Sequence, residues 1–442
     1  MTSLKPSLSS SSTRMVSTGW RSNDQTRPAY QGRHAAQRRR RSAADLGVHC
    51  APDYLPQGCH QPGLFQEYSM RTNRLPLPAP APGHQRFLTV HEFGEGEHKA
   101  YLQAGLHADE WPGLLTLQIL LERLQRLEAS GDILQRIVVV PYANPVGLNQ
   151  RLFGKFPGRF DAVTGQNFNR GMAIDSDELI DRVVEKLGDN AAANDRTVRA
   201  ELHQLAAEKP ADTEIAALHQ ALLSQSLDAT VMLDLHCDFD ALPHVFYGDH
   251  QREIGTQLAD CLGFPVRLEE DVRGTVAFDG THTQPWVRLA NATQKPFDRP
   301  CFAATVELRG QQDVNEALAQ RDAEGILSFL ECQGFISNSK ASRQSNEHQS
   351  ITLNVDQVKV LTSPGNGLVV YHRKLGEEIK QGDHLADVVL LDGDGPNRLP
   401  INAPTDGVLF GHTHSYLVYP GAHVAMLATP KRQIEPGTQL CN

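Results

Sequence analysis

Three side chains set the chemistry open to this chain. His107 and Glu110 stand three residues apart in Gly105-Leu106-His107-Ala108-Asp109-Glu110, and His236 follows 126 residues after Glu110 in Asp234-Leu235-His236. A three-residue spacing lets one turn aim an imidazole and a carboxylate at the same point, while the third group arrives from a distant segment. Two imidazoles and one carboxylate are the donor set of a catalytic zinc site, with a coordination position left open for water, and not of a closed structural one. Alone, the His-x-x-Glu pair is weak, because this spacing recurs by chance on solvated surfaces. Its setting is what strengthens it.

Both halves fall where α/β proteins place their chemistry. His98–Gly105 reads as a strand, and Pro112–Leu127 reads as a helix with Leu114, Leu117, Leu121, Leu124 and Leu127 at helical spacing and Pro112 in its first turn. The first two ligand candidates therefore lie on the loop between them. Asp228–Leu235 reads as a short buried strand with His236 at its carboxyl end, the side on which open sheets bind ligands. Further strands are predicted over Gln85–Glu92, Arg136–Pro141 and Cys301–Leu308, and helices over Asp177–Gly188, Arg196–Lys209, Asp212–Ser226 and Val314–Gln333. This alternation predicts an α/β fold, a mostly parallel or mixed sheet with helices on both faces. Leu148–Arg170 has no regular period and reads as a long functional loop.

Water activated at such a site needs a base that takes its proton and returns it to the leaving amine. Glu307, near the carboxyl end of an apolar strand, is the candidate. A developing oxyanion and a substrate carboxylate both call for arginine.

Five short motifs occur in order over residues 85 to 335: Gly105-x-His107-x-x-Glu110, Asn144-Pro145-x-Gly147, Asn167-Phe168-Asn169-Arg170, Asp234-Leu235-His236 and Thr305-Val306-Glu307-Leu308. Together they resemble the succinylglutamate desuccinylase/aspartoacylase family of the zinc carboxypeptidase-like superfamily. The resemblance implies one zinc ion per chain, held by His107, Glu110 and His236, and hydrolysis of a small N-acyl amino acid. It implies that Asn169 and Arg170 bind substrate and that Arg159 assists carbonyl polarisation, with Arg151 competing for that place. One departure stands out. The family commonly reads Asp-Leu-Asn-Arg where this chain has Asn167-Phe168-Asn169-Arg170, which removes a carboxylate near the metal and bears on substrate choice.

The 442 residues suffice for two domains, and 40% apolar with 21% charged residues is ordinary for a soluble globular protein. No apolar run approaches the roughly 20 residues of a membrane span. Seven scattered cysteines without a Cys-x-x-Cys pair argue for free thiols and a cytoplasmic location. Cys237, beside His236, is expected to point to the opposite face of its strand. Charge is uneven: residues 1–69 hold nine Lys/Arg against four Asp/Glu, or +5, and the rest 33 against 48, or −15. The acidic body gives no reason to expect nucleic-acid binding. The basic start, with Arg38–Arg41, lacks the apolar segment of a targeting signal and reads as a disordered or misassigned extension, with translation beginning at Met70.

Residues 354–442 form a separate unit. Ser363-Pro364-Gly365-Asn366-Gly367-Leu368-Val369 is echoed 40 residues later by Ala403-Pro404-Thr405-Asp406-Gly407-Val408-Leu409, and Gly382-Asp383-His384 by Gly421-Ala422-His423. Two β-rich halves predict a small pseudo-symmetric barrel or sandwich, which resembles the lipoyl-like barrel that accompanies this family's catalytic domain. Leu391–Pro400 has no lysine for a swinging arm, so a lid, a pocket wall or a homo-oligomer contact is expected. Residues 337–353 read as linker. His412 and His414 lack a third partner for a second metal site. The sequence thus predicts a zinc-dependent deacylase over residues 70–336; a carboxypeptidase acting on peptide C-termini and a catalytically inactive binding protein are the alternatives.

Overall fold

The computed structural model describes residues 70–341, 344, 350–392, 397–413 and 415–433. The N-terminal extension, most of the linker after residue 341, His414 and Cys50, Cys59 and Cys441 lie outside the described residues.

The chain opens with an antiparallel pair, β1 (Arg71–Leu77) and β2 (Arg86–Phe93), and β3 (Lys99–Ala104) runs beside β4 (Arg136–Val140) in parallel, joined by α1 (Pro112–Ser130). Pro112 sits at the start of α1, where its missing N–H costs nothing, and Gly131 caps the other end in the left-handed conformation. After the single turn α2 (Pro145–Leu148) no helix or strand forms until α3 (Ser176–Val183), so the expected long loop is present. Three polar N-caps, Asp175 for α3, Asn190 for α4 (Ala191–Glu208) and Thr213 for α5 (Glu214–Ser226), accept backbone N–H groups and fix where each helix begins.

The strand that carries His236, β5 (Val231–Asp238), starts and ends three residues later than the sequence predicts. The reason lies in its side chains. Val231, Leu233, Leu235 and Cys237 face one core, while Met232, Asp234, His236 and Asp238 face the other side, so the alternation continues through the polar residues. Next come β6 (Asp240–Ala241), β7 (His244–Gly248), α6 (Arg252–Leu262), β8 (Val266–Glu270) and α7 (Phe278–Thr293), none of which the sequence reading anticipates. β9 (Phe302–Gly310) and α8 (Glu316–Cys332) agree with expectation to within two residues.

A nine-stranded mixed sheet results, in the order β1-β2-β4-β3-β5-β9-β7-β8-β10. Its last strand, β10 (Ile351–Asn354), pairs in parallel with β8 and uses residues expected to be linker. One core lies between the sheet and α1, α6 and α8, the other between the sheet and α3, α4, α5 and α7, so helices cover both faces. Cys237 packs into the first core, away from its polar neighbours.

The remaining strands are β11 (Val358–Thr362), β12 (Gly367–Tyr371), β13 (Glu378–Ile379), β14 (His384–Leu390), β15 (Arg398–Asn402), β16 (Gly407–His412), β17 (Leu417–Val418) and β18 (His423–Ala428). They form two sheets, β11-β18-β16-β13 and β15-β14-β12-β17, around a shared apolar core. The repeat in the sequence is the repeat in the fold: β12 pairs with β14 as β16 pairs with β18. Gly382 and Gly421, with φ of 90° and 85°, make the left-handed turns before the equivalent strands β14 and β18. Strand β6 crosses over to pair with β16, tying this unit to the α/β part.

Candidate active site

The polar face of the central strands builds the site. Register places Gln103 of β3, Asp234 of β5 and Thr305 of β9 in one row and His236 beside Glu307 in the next, all towards the carboxyl ends of parallel strands. Gly105 leaves β3 at φ 70° and turns the chain into the His107–Glu110 segment, while Gly113 lets the first turn of α1 approach Ala104 and Leu235 so closely that an added Cβ would sit 3.0 Å from each. The HxxE segment is thereby pressed against the end of β5.

Glu110 sits between the two histidines. Its Oε1 is 2.9 Å from His107 Nδ1 and its Oε2 is 2.7 Å from His236 Nδ1, and all three side chains are buried. The Cys237 N–H (3.2 Å) and Arg159 Nη2 (3.1 Å) also donate to this carboxylate. Each ring is held from its far side. His107 Nε2 donates to Asn167 Oδ1 at 3.0 Å, and His236 Nε2 lies 2.9 Å from Asp234 Oδ2, close enough for an ionic contact but at an angle that makes no hydrogen bond. Asp234 is fixed in turn by Gln103 at 3.0 Å.

These contacts say what the three groups can hold. Burial resists charge on Glu110, yet the two imidazoles outweigh it and keep its carboxyl well below the ordinary value. Burial likewise resists charge on His236, and Asp234 and Glu110 overcome it and raise the imidazole well above its usual value. Two carboxylates thus favour positive charge at the point where both Nδ1 atoms converge. The donor atoms lie within 4.8 Å of one another, so the His₂Glu set fits a divalent ion such as zinc.

Glu307 stands on the adjacent strand, half-buried, with its Oε2 buried and unpartnered. Burial, with Glu110's negative charge adding to it, pushes this carboxyl up to about 8. Of the two competing arginines, Arg159 reaches the centre, whereas Arg151 is exposed and stacks on the Phe156 ring at 3.8 Å. Asn169 and Arg170 line the cavity, but Asn169 Oδ1 is taken by the Phe278 N–H at the start of α7 (2.8 Å), and Arg170 Nη1 donates to the Asn169 carbonyl (2.8 Å). The loop carrying them is anchored by buried His219, whose Nε2 meets the Phe168 carbonyl at 2.7 Å.

The cavity has a volume of about 420 Å³ and includes His107, His236, Arg159, Arg170 and Glu307 in its walls. Phe410 and Met426 of the C-terminal unit close one side, which makes that unit a wall of the pocket. Sequence reasoning missed Glu270 and Asp279, which also line it, and the supporting roles of Asp234 and His219. The Asp-Leu-His triplet offered a signal for Asp234, and nothing near His219 offered one. Elsewhere His412 is occupied by Asp240 at 2.9 Å, and a His372–His384–Asp387 cluster has Arg398 already 3.2 Å from its carboxylate. Among the described cysteines Cys237, Cys261 and Cys301 are buried and Cys332 is exposed. No described helix is long and apolar enough to cross a membrane.

Comparison with known proteins agrees with this architecture. Residues 97–332 match the succinylglutamate desuccinylase/aspartoacylase catalytic domain. A solved succinylglutamate desuccinylase/aspartoacylase family protein from Shewanella amazonensis is 25% identical, with 81% of this chain and 99% of that one covered and a TM-score of 0.71. One from Shewanella frigidimarina is 24% identical over 82% and 98%, also with a TM-score of 0.71. The ectoine utilization protein EutE from Ruegeria pomeroyi shares the fold at 17% identity over 84% and 98%, with a TM-score of 0.58. No curated protein matches. The catalytic-domain match spans more than half of the chain, which belongs to the succinylglutamate desuccinylase/aspartoacylase family.

Proposed function

We propose that this chain is a zinc-dependent hydrolase that cleaves the amide bond of an N-acyl amino acid or a related small amide. The observation that carries the reading is the convergence of His107 Nδ1, His236 Nδ1 and the Glu110 carboxylate beside Glu307, at the strand ends, in a cavity of about 420 Å³. A cavity of that size suits a small molecule. The wall formed by Phe410 and Met426 favours small substrates over an extended peptide, and so a deacylase over a carboxypeptidase.

Zinc bound to this donor set supplies Lewis-acid polarisation of the scissile carbonyl and acidifies water. The protein's own groups do the rest. Asn167 and Asp234 hold the two rings with Nδ1 facing the cavity, and Glu110 receives a hydrogen bond from Arg159 that fixes its orientation. Glu307 Oε2, unpartnered and half-sheltered, is the atom that accepts the proton of the attacking water and passes it to the departing nitrogen. The His236 imidazole and Arg159 oppose the rise caused by burial and Glu110 and favour the ionised form that this step requires. Arg159 and Arg170 supply the cationic edge for the oxyanion and the substrate carboxylate.

Metal analysis of the purified protein should find about one zinc per chain, lost in His107→Ala. Glu307→Gln should keep the metal and lower kcat by roughly 10² to 10⁴, the usual worth of a general base. Protein that binds no divalent ion defeats the reading, and full turnover in Glu307→Gln removes that residue's role.

A further inference from the structure

The C-terminal unit carries a counterpart of the His107–Glu110–His236 cluster. Asp387 stands between two imidazoles, with His372 Nε2 3.0 Å from its Oδ2 and His384 Nε2 2.8 Å from its Oδ1. The matching contacts of Glu110 with His107 and His236 measure 2.9 and 2.7 Å. Ring centroids are 4.6 Å apart in the C-terminal cluster and 5.0 Å apart in the other, and in each the donor atoms lie within 4.8 Å of one another. Even the arginine recurs: Arg398 Nη1 lies 3.2 Å from Asp387 Oδ2, as Arg159 Nη2 lies 3.1 Å from Glu110 Oε1. None of the three C-terminal residues lines the cavity.

The backbone is arranged to bring them together. His384 and Asp387 are three apart on β14, so strict alternation sends them to opposite faces. A bulge prevents this. His384 pairs with Asn402 and Ala386 with Ile401, which leaves Leu385 as an extra residue on β14. Leu385 and Ala386 both enter the apolar core, and Asp387 returns to the side of His384. His372 follows β12 and is fixed alongside by its N–H, which donates to the Leu385 carbonyl at 2.8 Å. The internal repeat offers a contrast: His412 and His423 occupy the positions of His372 and His384 in the second half, but Met426 stands where Asp387 does. There His412 turns instead to Asp240 of the α/β part, at 2.9 Å. Both halves carry the histidines, and the first alone carries the carboxylate.

We propose that His372, His384 and Asp387 bind a second divalent transition-metal ion, zinc in the first instance, on the surface of the C-terminal unit. Two imidazoles and one carboxylate suit zinc, nickel or copper, whereas magnesium and calcium call for oxygen donors. Donors held at about 2.0–2.2 Å from one zinc stand roughly 3–3.5 Å apart, so the two His–Asp contacts need only open slightly. Each neutral ring moves its proton from Nε2 to Nδ1 through solvent, which the exposure of both rings allows. That exposure, with Arg398 beside the carboxylate, makes this the weaker of the two sites. The ion therefore enters from solution and adds to the one expected in the protein as purified. Occupancy here is independent of any hydrolysis at Glu307.

Calorimetric titration of untagged full-length protein with zinc, after chelation, tests this. The parent should take up a tight and a weaker equivalent. His107→Ala should lose the tight one alone, and Asp387→Asn and His384→Ala the weaker one alone, so the variant that abolishes an equivalent assigns it. Were His107, Glu110 and His236 to hold no metal, the equivalent lost in Asp387→Asn would still stand. Zinc should also slow ethoxycarbonylation of His372 and His384 by diethyl pyrocarbonate in His107→Ala, read by mass spectrometry. That readout decides the matter if a variant of the C-terminal cluster fails to fold. A parent whose zinc uptake is wholly removed by His107→Ala overturns the proposal. So does a weaker equivalent that both Asp387→Asn and His384→Ala retain, or labelling of His372 and His384 that zinc leaves unchanged.

Discussion

His107 shows how a single neighbour can set a ligand's chemistry. Asn167 Oδ1 accepts both the His107 Nε2–H and the Asn169 N–H at 2.9 Å, which fixes the amide's orientation and turns His107 Nδ1 towards Glu110 Oε1. Asn167, an amide, thus holds the ring from its far side without placing a negative charge beside it. The three ligand candidates were legible because zinc chemistry demands particular residue types at particular spacings. Glu270 and Asp279 were not, since an isolated acidic residue carries no such demand. Glu270 offers a test of its own in the free protein. Its folded value near 8 lies above the unfolded value of about 4.3. Its contribution to stability is thus fully present below about pH 4.3 and is lost as pH rises through about 8. Glutamine mimics the protonated acid at every pH, so Glu270→Gln should melt at the same temperature as the parent near pH 4.5 and increasingly above it up to pH 8. Thermal denaturation across that range checks it, and a gap that widened towards acid would contradict the assignment.

Elements repeated the pattern of their side chains. Strands β5 and β9 were readable from their apolar runs, Val231–Leu233 and Phe302–Ala304, and the alternation that follows delivers Asp234, His236, Thr305 and Glu307 to one face. By contrast β7 and β8 are five-residue strands, and α7 contains Pro285 within its span and turns Asp279, Thr281, His282 and Thr283 inward, which blurs any amphipathic period. The segment that lines the cavity from β7 to α7 was for that reason the least legible. The long loop before α3 was recognisable from its irregular composition, but its fit was not. Gly158 has φ 57°, its carbonyl accepts the Ala108 N–H at 3.0 Å, and a Cβ there would lie 2.1 Å from the Asp109 side chain. Gly158→Ala should therefore lift the loop off the HxxE segment and carry Arg159 away from Glu110. Turnover is expected to fall by more than about ten-fold, since small misplacements of catalytic groups cost that much. Melting temperature should change modestly. Retained turnover would show that the loop adapts without moving Arg159.

At the scale of the molecule, the α/β part and the C-terminal β unit share more than a border. Leu242, Val266, Leu268 and Leu353 from the first pack with Val358, Phe410 and Ala428 in one apolar cluster. A backbone ladder crosses between them, β6 with β16, and the Leu242 N–H reaches the Phe410 carbonyl at 2.8 Å. The sequence separated the two parts by composition and internal repeat, which is where its information ended. Pairing between β6 and β16 depends on two residues brought together by the fold of both. Phe410 sits at the centre of this junction, fully buried, with its ring 5.6 Å from that of His244, and it also lines the cavity. Truncating a buried phenylalanine costs about 3–5 kcal/mol. If the halves unfold together, Phe410→Ala should move a single calorimetric transition down as a whole and weaken substrate binding in the same variant. If they were independent, the α/β part would keep its own transition at the parent temperature and only the β unit would melt early. Differential scanning calorimetry of Phe410→Ala beside the parent, with KM measured on both, separates these outcomes.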